Sequence, residues 1–272
     1  MSGERTVRTE TLTTTAAAAY RSTFAPHAPA PVVGGELPPG WEGVTFPFDV
    51  AFEDLRPDGT PARDGVLPEF DLPRRMYAGE DTVFHRPLRF GDELTQEVRA
   101  GAIVEKSGRS GRLVFADLVR EYRAGGELAV ESTWHDVFLE ATPPGAPPPP
   151  VQPAPTDPAD WVEELELDAR QLFRFSALTF NTHLVHYDRA WARDVEHLDD
   201  LLVHGPLTRI LLLDAARRHR SGSVAAFRFR AVAPVYVDRR VRIEGRTAGA
   251  ATEVIAVDAG GGVLARGTVD WR

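Results

Sequence analysis

The sequence predicts an α+β protein made of two antiparallel β meanders in tandem, the second curled around a buried helix. Three observations predict it. Segments alternating apolar and polar residues with period two, separated by glycine turns, recur in both halves of the chain. The segment Gly205–Arg220 is apolar nearly all round, so a sheet must cover it. Nine of the 22 prolines fall between Pro143 and Pro158, where they exclude both helix interior and sheet ladder.

Taken in chain order, Ala16–Phe24 reads as a short helix, whereas Pro31–Asp71 is rich in Pro and Gly and receives no element. Glu93–Lys106 and Arg112–Arg123 are strands joined by the glycine turn Ser107–Gly111, a hairpin rather than a phosphate cradle. Ala124-Gly125-Gly126 then leads into a third strand, Leu128–Leu139. The proline run Pro147–Pro150 is a semi-rigid linker, which divides the chain into residues 1–142, a linker at 143–158, and residues 159–272. In the last part, Gly205–Arg220 is a helix with Pro206 in its first turn and Arg217, Arg218 and His219 in its last. Ser223–Val237, Arg239–Thr247, Thr252–Asp258 and Val263–Trp271 follow as strands. Both final turns begin Ala-Gly-Gly, and Trp134 and Trp271 stand at comparable depth as core aromatics, a likeness consistent with duplication.

Composition narrows the function. With 31 Lys+Arg against 40 Asp+Glu, the charge of -9 leaves no basic stripe for nucleic acid or anionic lipid. Zero cysteines remove disulfides, thiolate metal sites and thiol nucleophiles. Met1–Thr15 has no apolar segment of secretory type, and no run approaches the ~18 apolar residues of a membrane span, so a cytoplasmic soluble protein is expected.

The densest group of reactive side chains is Phe173-Arg174-Phe175-Ser176-Ala177-Leu178-Thr179-Phe180-Asn181-Thr182-His183-Leu184-Val185-His186-Tyr187-Asp188, followed later by His204-Gly205-Pro206 at the start of the buried helix. This stretch resembles the MaoC-like hydratases and dehydratases, whose motif is Asp-x-Asn-Pro-(Leu/Ile)-His with a later His-Gly. His186 falls on the motif's histidine, Asn181 on its aspartate, His183 on its asparagine and Leu184 on its proline. The chain is similar over more of its length to a two-domain branch, that of hydroxyacyl-thioester dehydratases and mesaconyl-CoA hydratases. The branch also shares Leu72-Pro73-Arg74-Arg75-Met76-Tyr77-Ala78-Gly79 and Phe84-His85-Arg86-Pro87-Leu88.

The resemblance implies a double hot dog: two antiparallel sheets, each wrapped around a helix, with a thioester held between the halves. It implies that the second half carries the catalytic residues and the first a wall for the acyl chain or coenzyme. The expected reaction is hydration of an enoyl thioester, or dehydration of a 3-hydroxyacyl thioester, carried on coenzyme A or acyl carrier protein. Such a reaction needs a positioned water, a proton shuttle and a donor for the enolate-like oxygen. Histidine titrates near neutrality, so His186 is the expected acid and base. Asn181 cannot titrate and is expected to position water. A helix start offers a free backbone N–H, and Gly205 is a better candidate for it than Pro206. Arg174, His183, His204, Arg74 and Arg75 are the expected substrate-binding residues, with Arg174 facing any substrate carboxylate. His183-x-x-His186 with Asp188 lacks a third well-spaced ligand, so no metal is expected. No cofactor is expected beyond the coenzyme A or phosphopantetheine of the substrate itself, and a homo-oligomer is compatible with the reading. A hot dog thioesterase and a non-catalytic acyl-thioester binder are the alternatives; Asn181, where a thioesterase needs a carboxylate, speaks against the former.

Overall fold

The computed structural model describes residues 5–62, 65–108, 111–141 and 151–272. The first part of the chain gives β1 (Arg5–Thr11), α1 (Thr14–Phe24), β2 (Arg74–Phe84), β3 (Glu93–Gly108), β4 (Gly111–Ala124) and β5 (Glu127–Leu139). The second gives β6 (Trp161–Leu165), α2 (Ala169–Thr179), α3 (Gly205–His219), β7 (Val224–Ala231), β8 (Val241–Ala248), β9 (Ala251–Val257) and β10 (Val263–Trp271). All ten strands join one antiparallel sheet in the order β1-β3-β4-β5-β2-β7-β10-β9-β8-β6. The halves meet where β2 pairs with β7, from Gly79↔Arg230 to Val83↔Ala226. The two sheets expected of a double hot dog are thus joined edge to edge into one continuous sheet.

The meanders expected from the alternation are present as β3–β5 and β8–β10. The expected strand over Ser223–Val237 is shorter. β7 ends at Ala231, where Val232 and Ala233 both donate to the Leu264 carbonyl and Pro234, without an N–H, cannot extend the ladder. Beyond it the chain turns across Leu202–Val203, with Val203 N–H donating to Val235 O at 2.8 Å. Thr142 and residues 143–150 of the proline linker lie outside the described residues, as do Arg109 and Ser110 of the hairpin turn. Gln152 and Ala154 hydrogen-bond to the chain around Gly261–Val263.

The two halves fill their sheets differently. In the second, α3 lies in the hollow against β2 and β7–β10, with Leu207–Ala216 buried throughout. Burial of these apolar side chains, each worth about 1.5–3 kcal/mol when removed from water, is what seats the helix. In the first, α1 does not take the corresponding place. It packs on α2 and the turn Trp41–Val44, and Tyr20 reaches α3 by donating to Asp214 Oδ2 at 3.3 Å. The hollow of β3–β5 instead lines a cavity. Arg209 breaks the apolar reading of α3: 1% exposed, it bonds Glu42 Oε1 at 3.2 Å and approaches Glu80 Oε2 at 3.3 Å, so a second-half cation meets two first-half carboxylates. Among the described residues, no helix is long and apolar enough to cross a membrane.

Candidate active site

The site is built on the end of α2. Asp168 caps that helix by accepting from Arg170 N–H at 2.9 Å and Gln171 N–H at 3.1 Å, while Gln171 Oε1 accepts from Asp168 N–H in return. Leu172, Phe175, Ser176 and Thr179, spaced i, i+3, i+4 and i+7, are its buried stripe. The helix stops at Phe180, which takes the left-handed conformation with φ 52°. That conformation costs a bulky residue about 1–3 kcal/mol, and it turns the chain so that Asn181 N–H closes on Ser176 O at 2.9 Å. Asn181 Oδ1 then accepts from His183 N–H at 3.0 Å, which fixes the amide and leaves its NH₂ without a partner among the described residues.

A first-half loop clamps this turn. Thr182 Oγ1 donates to Gly59 O at 2.8 Å and Leu184 N–H donates to Asp58 O at 2.8 Å. Gly59 has φ +83°, and a Cβ there would lie 1.9 Å from Thr182 O, so only glycine permits the approach. The clamp sits within Pro31–Asp71, which the sequence left without an element, although Pro57-Asp58-Gly59 carries a turn signal.

Three histidines converge. His186 is buried, and its Nδ1 lies 2.7 Å from Leu202 O; only an N–H can bond a carbonyl, so Nδ1 carries the proton and Nε2 the lone pair. Burial first, then the neighbouring His183, pushes its pKa down to about 3, so the ring is neutral near pH 7. Below it, His204 is fully buried and stacked at 3.6 Å between ring centroids, with Nε2 sharing a 2.8 Å hydrogen bond with Ser176 Oγ. His204 therefore supports His186 from behind and is not on the cavity wall, contrary to its expected contact with substrate. His183 lines the cavity, its pKa pushed down to about 4 by burial and then by Arg74.

Asn181, His183, His186 and Gly205 all face one cavity of about 1570 Å³, lined by both halves. Gly205 is the first residue of α3, where an N–H has no acceptor within the helix. A Cβ at Gly205 would lie 2.3 Å from Tyr77 Cδ1, so glycine lets first-half Tyr77 close over the helix start. Arg74 and Arg75 also line the cavity, but Arg74 Nε bonds Glu196 Oε2 at 2.9 Å and Arg75 holds Asp136 through two hydrogen bonds at 2.9 and 2.6 Å. Arg174 lies elsewhere. It is exposed on α2, its nearest polar partner Ser22 Oγ at 3.3 Å, because helical periodicity turns it away from the Phe175–Thr179 face. Trp134, expected in the core, is a cavity wall packed 4.4 Å from Tyr77 between ring centroids. Asp58, His183 and Glu196 bring potential metal-ligand atoms within 4.8 Å of one another. There Arg74 already supplies Glu196 with a cation, and Thr60 donates twice to Asp58 Oδ1.

Residues 40–237 match the family described as hydroxyacyl-thioester dehydratase type 2. The chain is also 37% identical over 256 residues to mesaconyl-C(4)-CoA hydratase of Chloroflexus aurantiacus, across 93% of this chain and 90% of that protein. The chain belongs to the hydroxyacyl-thioester dehydratase type 2 family. It is thereby a hydro-lyase, and the MaoC-like resemblance of its motifs holds. Among solved structures, a MaoC-like dehydratase from Phytophthora capsici is similar over 100% of this chain and 96% of its own, at a TM-score of 0.71 and 15% identity. A Mycobacterium tuberculosis protein described as having a double hotdog fold is similar over 99% and 95%, at 0.62 and 16% identity. These likenesses show the fold, a double hot dog.

Proposed function

We propose that this hydro-lyase adds water reversibly to an enoyl-CoA thioester, with His186 as the proton shuttle, Asn181 positioning water and Gly205 N–H receiving the thioester oxygen. The single observation that carries the reading is the Nδ1–H bond from His186 to Leu202 O. It aims an unprotonated Nε2 from the wall that also holds the free Asn181 amide and the start of α3. Coenzyme A is the proposed carrier because the relative matched along most of its length is named for a CoA thioester.

In the proposed addition, water oxygen bonds to Cβ as Nε2 of His186 takes one of its protons. The C=C electron pair moves to Cα and the thioester carbonyl, whose oxygen gathers charge against Gly205 N–H. Burial makes the resulting imidazolium strongly acidic, so it returns its proton to Cα and the carbonyl re-forms. Because one base serves both transfers, hydrogen and hydroxyl arrive on the same face. Asn181 donates through its NH₂ and holds the water oxygen without titrating. Loss of enoyl absorbance from crotonyl-CoA in D₂O, with the product's stereochemistry read by NMR, tests this. Release of free thiol without hydration would replace the reading with a thioesterase, and the same assay on crotonyl-acyl carrier protein separates the carriers.

A further inference from the structure

We infer that His204 is a positioning residue for the reaction: its ring, stacked on His186, stabilises the cation that His186 becomes when it takes a proton from water. The inference rests on the hydratase reading above. In that reaction the proton passes from water to Nε2 of His186 and then to Cα, so for one step a positive charge sits on a ring only 6% exposed. Two features of the site oppose that charge. Burial strips its water, and the start of α3, the positive end of the helix dipole, lies beside it. No carboxylate compensates: among the described residues His186 forms no ion pair, and its hydrogen-bond and ring partners are Leu202 O, His183 and His204.

Of these three, Leu202 O already accepts the Nδ1–H, and His183 stands edge to face at 5.4 Å between ring centroids. The ring of His204 lies flat against His186, with centroids 3.6 Å apart and 21° between the planes. A neutral aromatic face is electron-rich and attracts a cation most strongly where water is excluded. His204 stays neutral, because burial first, and then His186 and His183, hold its pKa well below the usual histidine value. One hydrogen bond fixes the ring. His204 Nε2 lies 2.8 Å from Ser176 Oγ, whereas Nδ1 is buried without a partner among the described residues. A proton on Nδ1 would bury an N–H with no acceptor, so Nε2 carries it and donates to Ser176. The same serine anchors the turn of Asn181, whose N–H donates to Ser176 O at 2.9 Å, and the residue after His204 is Gly205. His204 thus ties the proposed proton carrier, the water-positioning amide and the helix start to the end of α2. It does not line the cavity, so its effect must pass through His186.

The test separates the ring from its hydrogen bond. Ser176→Ala/His204→Phe and Ser176→Ala/His204→Leu remove that bond from both ends and differ in whether a ring remains. With crotonyl-CoA, the phenylalanine pair should keep kcat within about threefold of the parent, and the leucine pair should lose about 30-fold. KM should stay within about twofold in both, since neither position touches the cavity. Equal kcat in the two pairs, or a loss carried by KM alone, would overturn the inference. If the leucine pair does not fold, phenylalanines bearing one, two and three ring fluorines are placed at position 204 in the Ser176→Ala background. Fluorine drains charge from the ring face at nearly constant size, so kcat should fall stepwise along the series. A flat series with an active parent would sink this inference and leave the hydratase reading standing. A parent that leaves the enoyl thioester unhydrated would sink the two together.

Discussion

The two halves repeat one strand pattern and put different contents inside it. In the second half α3 fills the hollow, and its residues Leu207 to Ala216 are all buried there. In the first half the hollow of β3–β5 is open, and Gln96, Arg120 and Trp134 stand on the face where a core would be. The difference teaches how one strand pattern can hold either a helix or a cavity. A buried helix supplies a fixed N-terminus and a dry wall that holds three histidines neutral. A hollow without a helix supplies room.

The largest break in that comparison comes from the second half. His186→Ala removes the one titrating group of the proposed reaction and should cost about 100- to 10,000-fold in kcat on crotonyl-CoA, measured by enoyl absorbance. Asn181→Ala removes a positioning hydrogen bond worth about 1–3 kcal/mol and should cost roughly ten- to a hundredfold. Asn181→Asp is more informative, because it places a carboxylate near His186 and so raises the pKa that burial holds at about 3. In the proposed reaction neutral His186 is the active form, so the acid limb of the pH–rate profile should move to higher pH than in the parent. A profile that does not move would separate Asn181 from His186.

The strands of both meanders and α3 were legible because their periods differ and their length suffices: two for β3–β5 and β8–β10, near-continuous apolarity for α3. The candidate site was legible because Asn181, His186 and Gly205 fall in short motifs and line one cavity. What the sequence hid was direction. Arg174 sits in the motif string, but its side of α2 turns it away from the cavity. The i, i+3, i+4, i+7 stripe of Leu172, Phe175, Ser176 and Thr179 carries that information.

The seam between the halves gives the next effect. Gly205→Ala keeps the N–H but drives a methyl into Tyr77, and overpacking of this kind costs about 1–3 kcal/mol in thermal or denaturant unfolding. Adding Tyr77→Val should return most of that loss. Recovery in the double variant would establish that the first half closes on the helix start; a purely additive loss would dissociate the two positions.

Histidines also divide the halves by sign. His186 and His183 are held near 3 and 4, below the ~6.5 of an unfolded chain, so the unfolded state takes up protons first as pH falls. Their contribution to stability is complete above about pH 6.5 and declines toward their folded values, each costing about 2 kcal/mol by pH 5. In the first half, His135 is raised, first by its bond to Asp81 and then by Asp117 against the opposing effect of burial, so its contribution is present at low pH and lost as pH rises. His186→Asn should therefore shrink the fall in Tm between pH 7 and pH 5, whereas His135→Asn should enlarge it.

The smallest expected effect is at Arg174, and it separates nearness in sequence from nearness in space. Arg174 is seven residues from Asn181 and lies between Phe173 and Phe175, so a linear reading places it with the chemistry. On α2 it projects to solvent, and its hydrogen bond to Ser22 Oγ at 3.3 Å is a marginal exposed contact. Surface substitutions of this kind stay within about 0.5 kcal/mol. Arg174→Gln should thus leave Tm unchanged and shift kcat/KM for crotonyl-CoA by less than about twofold. A larger loss of crotonyl-CoA turnover with Tm unchanged would bring Arg174 into contact with substrate despite its place on the outer side of α2.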